Sequence, residues 1–200
     1  IDLGRVMKMP FGGLTLLDRA INATLVLSDI AIKKDDKAGL ITYSDKVHGL
    51  LAPSRDKAQM RKIMDLLYAQ RTDFAETDFD TLFITVKRAL GQRSLLVVYT
   101  NFESIDGMRR QLPFLQRLAR AHLVAVVIFR NTELDELLHR PDRDTVDVYV
   151  KTITRKLQHE KELIAKELER HGVLTILTRP EDLSVSVLNK YLEIKARALL

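Results

Sequence analysis

Residues 94–100 read Ser-Leu-Leu-Val-Val-Tyr-Thr and residues 123–129 read Leu-Val-Ala-Val-Val-Ile-Phe. Neither run alternates apolar with polar residues, so each is the pattern of a strand covered on both faces, as in a parallel sheet flanked by helices. Between them, Ile105 to Arg120 is amphipathic with Pro113 inside it, a point where a helix kinks. A strand, a crossover helix and a second strand make one βαβ unit. Further out, Val146, Val150, Ile153, Leu157, Ile164 and Leu168 mark a long helix closed by Gly172, followed by a strand Val173 to Leu177 and a last helix from Pro180. Strands alternating with helices predict an α/β sheet.

Toward the amino end, Leu14 to Ile32 keeps helical spacing with a wide apolar stripe, which predicts a largely buried helix. Gly39–Thr42 and Val47–Leu51 read as strands joined by residues 43–46, a link too short for a parallel crossover, so they form an antiparallel hairpin. Asp56–Ala69 and Asp78–Leu90 read as helices, the second with Gly91 as its cap. Ile1 reads as the end of a strand whose earlier part lies upstream, so the chain is expected to be one domain, residues 1–200, cut from a longer protein. Asn131 to Thr145 reads as a charged connection rather than a boundary.

Composition excludes several classes. The 200 residues are 46% hydrophobic and 30% charged, ordinary globular values. The net charge of +5 is spread along the chain, not gathered in a block, and no arginine–aromatic platform is present, so no nucleic-acid partner is expected. With no cysteine there is no disulfide, thiolate metal site or thiol nucleophile. No run approaches the ~20 apolar residues of a membrane span, and the expected location is cytoplasmic, with an anchor upstream allowed. Gly12-Gly13 lacks a following Gly-Lys-Ser/Thr, no Gly-x-Ser-x-Gly elbow occurs, and His159-Glu160 meets Leu163 where a zinc helix needs a second histidine. His48, His122, His139 and His171 are dispersed. Glu160, Glu162, Glu167 and Glu169 interleave with Lys156, Lys161, Lys166 and Arg170 as a solvated, ion-paired helix face.

In an open α/β sheet the useful crevice lies at the carboxyl ends of the strands. Asp2 closes the first strand, Thr100 and Asn101 close another, and Thr77-Asp78 precedes a helix that reaches the same rim. The structural alternative for Thr77 is an N-cap, with Asp73, Glu76, Asp78 and Asp80 as the acidic start of that helix.

This set resembles the metal-ion-dependent adhesion site of von Willebrand factor A domains, and the chain resembles one bacterial branch of that fold, the domain of unknown function family number 58. The likeness rests on Asp2-Leu3-Gly4-Arg5-Val6-Met7, Leu17-Asp18-Arg19-Ala20-Ile21-Asn22, Lys37-Ala38-Gly39-Leu40-Ile41-Thr42-Tyr43-Ser44, Arg93 through Asn101, and Asn189 through Lys195. It implies a Rossmann-like three-layer fold whose mostly parallel sheet has one antiparallel edge strand. It implies a metal site at Asp2, Thr77 and Asn101 that is degenerate, because Gly4 and Val6 replace two serines and Asn101 an aspartate. Mg²⁺ prefers anionic oxygen ligands, so the expectation is no resident cofactor and at most weak Mg²⁺ binding, with Arg5 pairing with Asp2 in place of a cation. The function implied is a non-enzymatic protein-interaction module. It would work with a MoxR-type AAA+ ATPase in assembly or maturation of other proteins, through Asp2, Arg5, Thr77, Asp78, Thr100 and Asn101. The rival expectations are a metal-dependent adhesion or hydrolytic module and a basic nucleic-acid-binding domain.

Overall fold

The computed structural model describes residues 1–130, 138 and 145–199, so the charged connection lies, apart from Leu138 and Thr145, outside the described residues. Three strands, β5 (Leu95–Tyr99), β6 (Leu123–Phe129) and β7 (Leu174–Thr178), form a parallel sheet with β6 in the middle. Every residue of β6 from Val124 to Phe129 is buried. Its side chains alternate between two cores: Ala125, Val127 and Phe129 on one face, Val124, Val126 and Ile128 on the other. That is why the strand reads as unbroken apolar sequence.

Helices α1 (Leu16–Lys33) and α6 (Leu183–Ala196) cover the first face, packing on each other. Helices α3 (Phe79–Ala89), α4 (Ile105–Ala121) and α5 (Thr145–Arg170) cover the second. α4 runs on through exposed Pro113. Helix α1 starts at Leu16, two residues later than its apolar spacing predicts, because Leu14–Thr15 (β2) pairs with Pro10–Phe11 (β1). Gly12 and Gly13, both at positive φ, make the turn between them. Thr15 and Asp18 then close a reciprocal capping box, each side chain accepting the other's backbone N–H, at 3.1 and 2.8 Å. Gly172 also has positive φ and ends α5 as predicted, but Gly91 does not, and Leu90 caps α3.

The hairpin is β3 (Ala38–Tyr43) and β4 (Val47–Ser54), antiparallel. Short helix α2 (Gln59–Tyr68) is tied to it by buried Gln59, whose Nε2 donates to Ala38 O at 2.8 Å and Ala52 O at 2.9 Å. Residues 1–3 join the hairpin to the parallel sheet. Tyr43 N–H donates to Ile1 O, Leu3 N–H to Tyr43 O, and Asp2 N–H to Tyr99 O, at 3.1, 2.7 and 2.9 Å. The backbone order across the molecule is therefore β4, β3, residues 1–3, β5, β6, β7, with Asp2 at the carboxyl end of the sheet.

Candidate functional site

The sheet register brings Asp2 between the ends of β3 and β5, and three loops close over it. The residue is fully buried. Its Oδ1 accepts the Gly4 N–H at 2.7 Å and the Thr77 hydroxyl at 2.8 Å, and its Oδ2 accepts the Thr100 hydroxyl at 2.6 Å. Burial raises the Asp2 carboxyl above the usual range, opposed by the hydrogen bonds from Thr100, Gly4 and Thr77. The cluster stands beside an aromatic group: Tyr43 meets Phe79 edge-on at 6.0 Å, and Phe79 stacks on Phe102 at 5.9 Å. The Tyr43 hydroxyl is buried with no hydrogen-bond partner among the described residues, and burial followed by the nearby Asp2 charge pushes its pKa well above normal.

Thr77 belongs to this cluster rather than to a helix cap. The cap of α3 is Asp78, whose carboxylate accepts the Asp80 N–H and the Thr81 hydroxyl, both at 2.9 Å, and so faces its own helix instead of Asp2. The loop carrying Thr77 is stitched down along its length. Thr72 Oγ1 donates to Leu3 O at 2.7 Å, Arg5 N–H to Ala75 O at 3.1 Å, and Asp78 N–H to Ser44 O at 2.9 Å. Gly4 permits the approach, since a Cβ there would lie 2.1 Å from Thr77 Oγ1 and 2.9 Å from Asp2 Oδ1.

Arg5 does not pair with Asp2, contrary to expectation. Its guanidinium points outward to Glu76 at 3.0 Å and Glu103 at 3.7 Å, in pairs whose side chains are all more than half exposed. The loop direction explains this: the Arg5 N–H is held on Ala75 O at the rim, and Asp2 is already supplied with three neutral donors. Near the same rim Lys8 Nζ lies 5.6 Å over the Phe74 ring.

Asn101 is buried but turned to another partner. Lys161 of α5 donates from Nζ to Asn101 Oδ1 at 2.9 Å and also to Phe102 O. Its neighbour Glu160 accepts the Ile105 N–H at the start of α4 at 3.0 Å. Lys161 and Glu160 therefore leave the solvated face that the charge pattern predicted. Burial lowers the Lys161 ammonium to about 8, against the raising effect of Glu103 and Glu160. Its spacing of three, four and seven residues from buried Ile164, Ala165 and Leu168 is the sequence signal for the inner face, which the charge pattern masks.

These residues do not fit a divalent metal. The centre offers one carboxylate, both of whose oxygens already accept hydrogen bonds from protein donors, and two hydroxyls spent on it. A hydroxyl-bearing side chain at position 4 would overlap Thr77, and Asn101 Oδ1 is engaged by an ammonium. Among the described residues no group of three or more histidine, aspartate or glutamate side chains is arranged to hold a metal ion. The arrangement instead ties the ends of β3 and β5, the segment after Asp2 and the loop before α3 into one hydrogen-bonded cap with a charged rim.

No protein-family model matches the chain, and no curated protein does. Among solved structures it is similar to the crystal structure of an aerotolerance-related membrane protein from Bacteroides fragilis NCTC 9343 with multiple mutations to serines. The two share 13% identity over 94% of each chain, with a TM-score of 0.59. No helix among the described residues is long and apolar enough to cross a membrane. At this identity the likeness is one of fold, an α/β architecture shared over the matched part of both chains.

Proposed function

We propose that this chain is a von Willebrand factor A-like protein-interaction module of three-layer, Rossmann-like form, with a degenerate adhesion site that works without a metal and without catalysis. One observation carries the reading: the position where the resemblance expects a metal-bridged contact holds a buried Asp2 satisfied by Gly4, Thr77 and Thr100, beneath an exposed rim of Arg5, Glu76 and Glu103. A sealed carboxylate has no route to substrate, whereas a hydrogen-bonded loop platform with exposed charges suits docking, where rim charges set encounter rate and register. The fold shared with a protein described as a membrane protein supports a domain carried by an anchored chain.

The partner the resemblance indicates is a MoxR-type AAA+ ATPase. The test is binding of such an ATPase to the chain by surface plasmon resonance, with Mg-nucleotide kept on the ATPase and the chain pretreated with chelator. Binding of equal strength before and after the pretreatment, weakened tenfold or more by Arg5→Glu, supports the reading. Binding that needs metal restored to the chain, or that ignores Arg5→Glu together with Glu103→Lys, removes this rim from the account.

A further inference from the structure

Helices α3 and α4 pack side by side on the second face of the sheet, and each carries its one acid, Asp80 or Asp106, in its first turn. Beyond that turn both helices hold cations alone: Lys87 and Arg88 on α3, and Arg109, Arg110, Arg117 and Arg120 on α4. Arg109 meets Asp106 and Glu167, but no acid among the described residues forms an ion pair with the other five. On α1 and α6, by contrast, cations stand beside acids, as Lys33 does by Asp29 and Lys190 by Glu193. Packing thus gathers on one flank a charge that the sequence spreads along the chain. Like charges three residues apart, as Arg117 and Arg120 are, destabilise a helix that has nothing bound to it.

Arg117 is held at the seam of the two helices. Its guanidinium lies over two rings, 5.8 Å from the centre of Phe83 on α3 and 5.9 Å from that of Phe114 on α4. Both rings are half-buried and pack against the core beneath. A guanidinium stacked in this way keeps its N–H edge for a carboxylate and has little side-chain freedom left to lose on binding. Arg110, Phe114 and Arg117 follow at intervals of four and three residues, one stripe on the side of α4 away from buried Met108, Leu112, Leu115 and Leu118. Lys87 stands four residues after Phe83, on the same side of α3.

We infer that the seam of α3 and α4 is a docking surface for an acidic amphipathic helix of a protein partner, which sets carboxylates on Arg110 and Arg117 and an apolar side chain on the ring edges between them. The two arginines are seven residues apart, about 10 Å along the helix. The partner helix therefore carries acids seven apart with an apolar residue between them. Three observations favour a helix over other anions. The rings spend a face on Arg117 and pack against the core, so neither is free to stack a nucleobase. Asp80 and Asp106 close the upper end, which leaves a short patch instead of a track for a phosphate backbone. Ile84, 39% exposed beside Phe83, adds apolar contact of the kind a helix face supplies. This flank is separate from the rim of Arg5, Glu76 and Glu103, and the inference stands or falls independently of what docks there.

The probe is a synthetic alanine-based helical peptide with glutamates seven residues apart and a leucine four residues after the first. Fluorescence anisotropy at physiological salt compares it with a peptide of the same composition whose glutamates and leucine are scattered round the helix. The patterned peptide binds roughly tenfold tighter or more. Arg110→Glu with Arg117→Glu abolishes that preference, and Arg117→Lys, which keeps the charge without the stacked fork, loses most of it. An equal change of charge on α2, Arg61→Glu with Lys62→Glu, keeps it, since α2 packs on the other core. All four positions on these test variants are exposed, so thermal melts show each variant folded. Equal binding of the two peptides, or a preference that survives the paired substitution of Arg110 and Arg117, overturns the inference. So does tighter binding of a mixed-sequence DNA duplex or of phosphatidylserine vesicles than of the patterned peptide, which would make the flank a general polyanion surface.

Discussion

Replacing Thr100 with valine keeps the shape of the side chain and deletes one hydroxyl. That hydroxyl is buried and donates to Asp2 Oδ2 at 2.6 Å, and no other described group hydrogen-bonds to that oxygen. The substitution leaves half of a buried carboxylate unpaired, a loss of about 1.5–3 kcal/mol for a hydrogen bond to a charged group. For a domain of this size that is a fall in Tm of roughly 4–8 °C. The pH dependence follows from Asp2. Its native pKa is raised, so the folded chain keeps the proton to higher pH than the unfolded chain does. The stability that this proton brings is full in acid and is lost as pH rises through the native value. Thr100→Val removes a donor to the charged form and raises that value further. The deficit relative to wild type is therefore largest above the native pKa and shrinks on acidification through it. Urea unfolding of both chains as a function of pH, from alkaline to below the free carboxyl value, measures this directly. A deficit below about 0.5 kcal/mol at every pH, or one that grows on acidification, refutes the description of Asp2 as a carboxylate held by neutral donors.

Gly4→Ser, which restores the residue type of an adhesion-site loop, drives a Cβ to 2.1 Å from Thr77 Oγ1; it destabilises by about 1–3 kcal/mol in thermal melts and confers no Mg²⁺ affinity. Lys161→Met takes the donor from Asn101 Oδ1 and Phe102 O, so loop amides 102–105 exchange faster while those of β6 do not. Because the native Lys161 ammonium titrates near 8 instead of 10.5, wild-type stability gains from this group as pH rises from about 8 to 10.5, and Lys161→Met removes that gain in denaturant melts. Arg5→Ala, in contrast, changes stability by less than about 1 kcal/mol, because its pairs with Glu76 and Glu103 are exposed, and its effect is read in partner binding.

The parts of the fold that were legible in the sequence are those where one local pattern has one physical reading. Leu123–Phe129 is apolar throughout because helices lie on both of its faces, and the short link after Tyr43 allows only a hairpin. Asp2, Thr77, Asp78, Thr100 and Asn101 were legible as a group from the carboxyl ends of the strands; the structure brings the Thr77 and Thr100 side chains onto Asp2, but turns Asp78 to its own helix and Asn101 to Lys161. What was not legible depends on long-range geometry. Thr77 lies 75 positions from Asp2, and nothing near it distinguishes a cap from a donor until the loop is seen pinned to Leu3 and Ser44. Charge attraction alone pairs Arg5 with Asp2, but the direction of the backbone after Gly4 carries the guanidinium outward to Glu76 and Glu103. Lys161 was hidden in a run of alternating acids and bases, where charge pattern spoke louder than its spacing from Ile164 and Leu168.

Hydrogen bonds from Gly4, Thr77 and Thr100 hold Asp2 where the resemblance expects a metal. Isothermal titration of Mg²⁺ and Mn²⁺ into the chain, with Asp2→Ala alongside, tests this most directly. No saturable heat is expected up to millimolar metal in either protein. Saturable binding in wild type that vanishes in Asp2→Ala would contradict that arrangement.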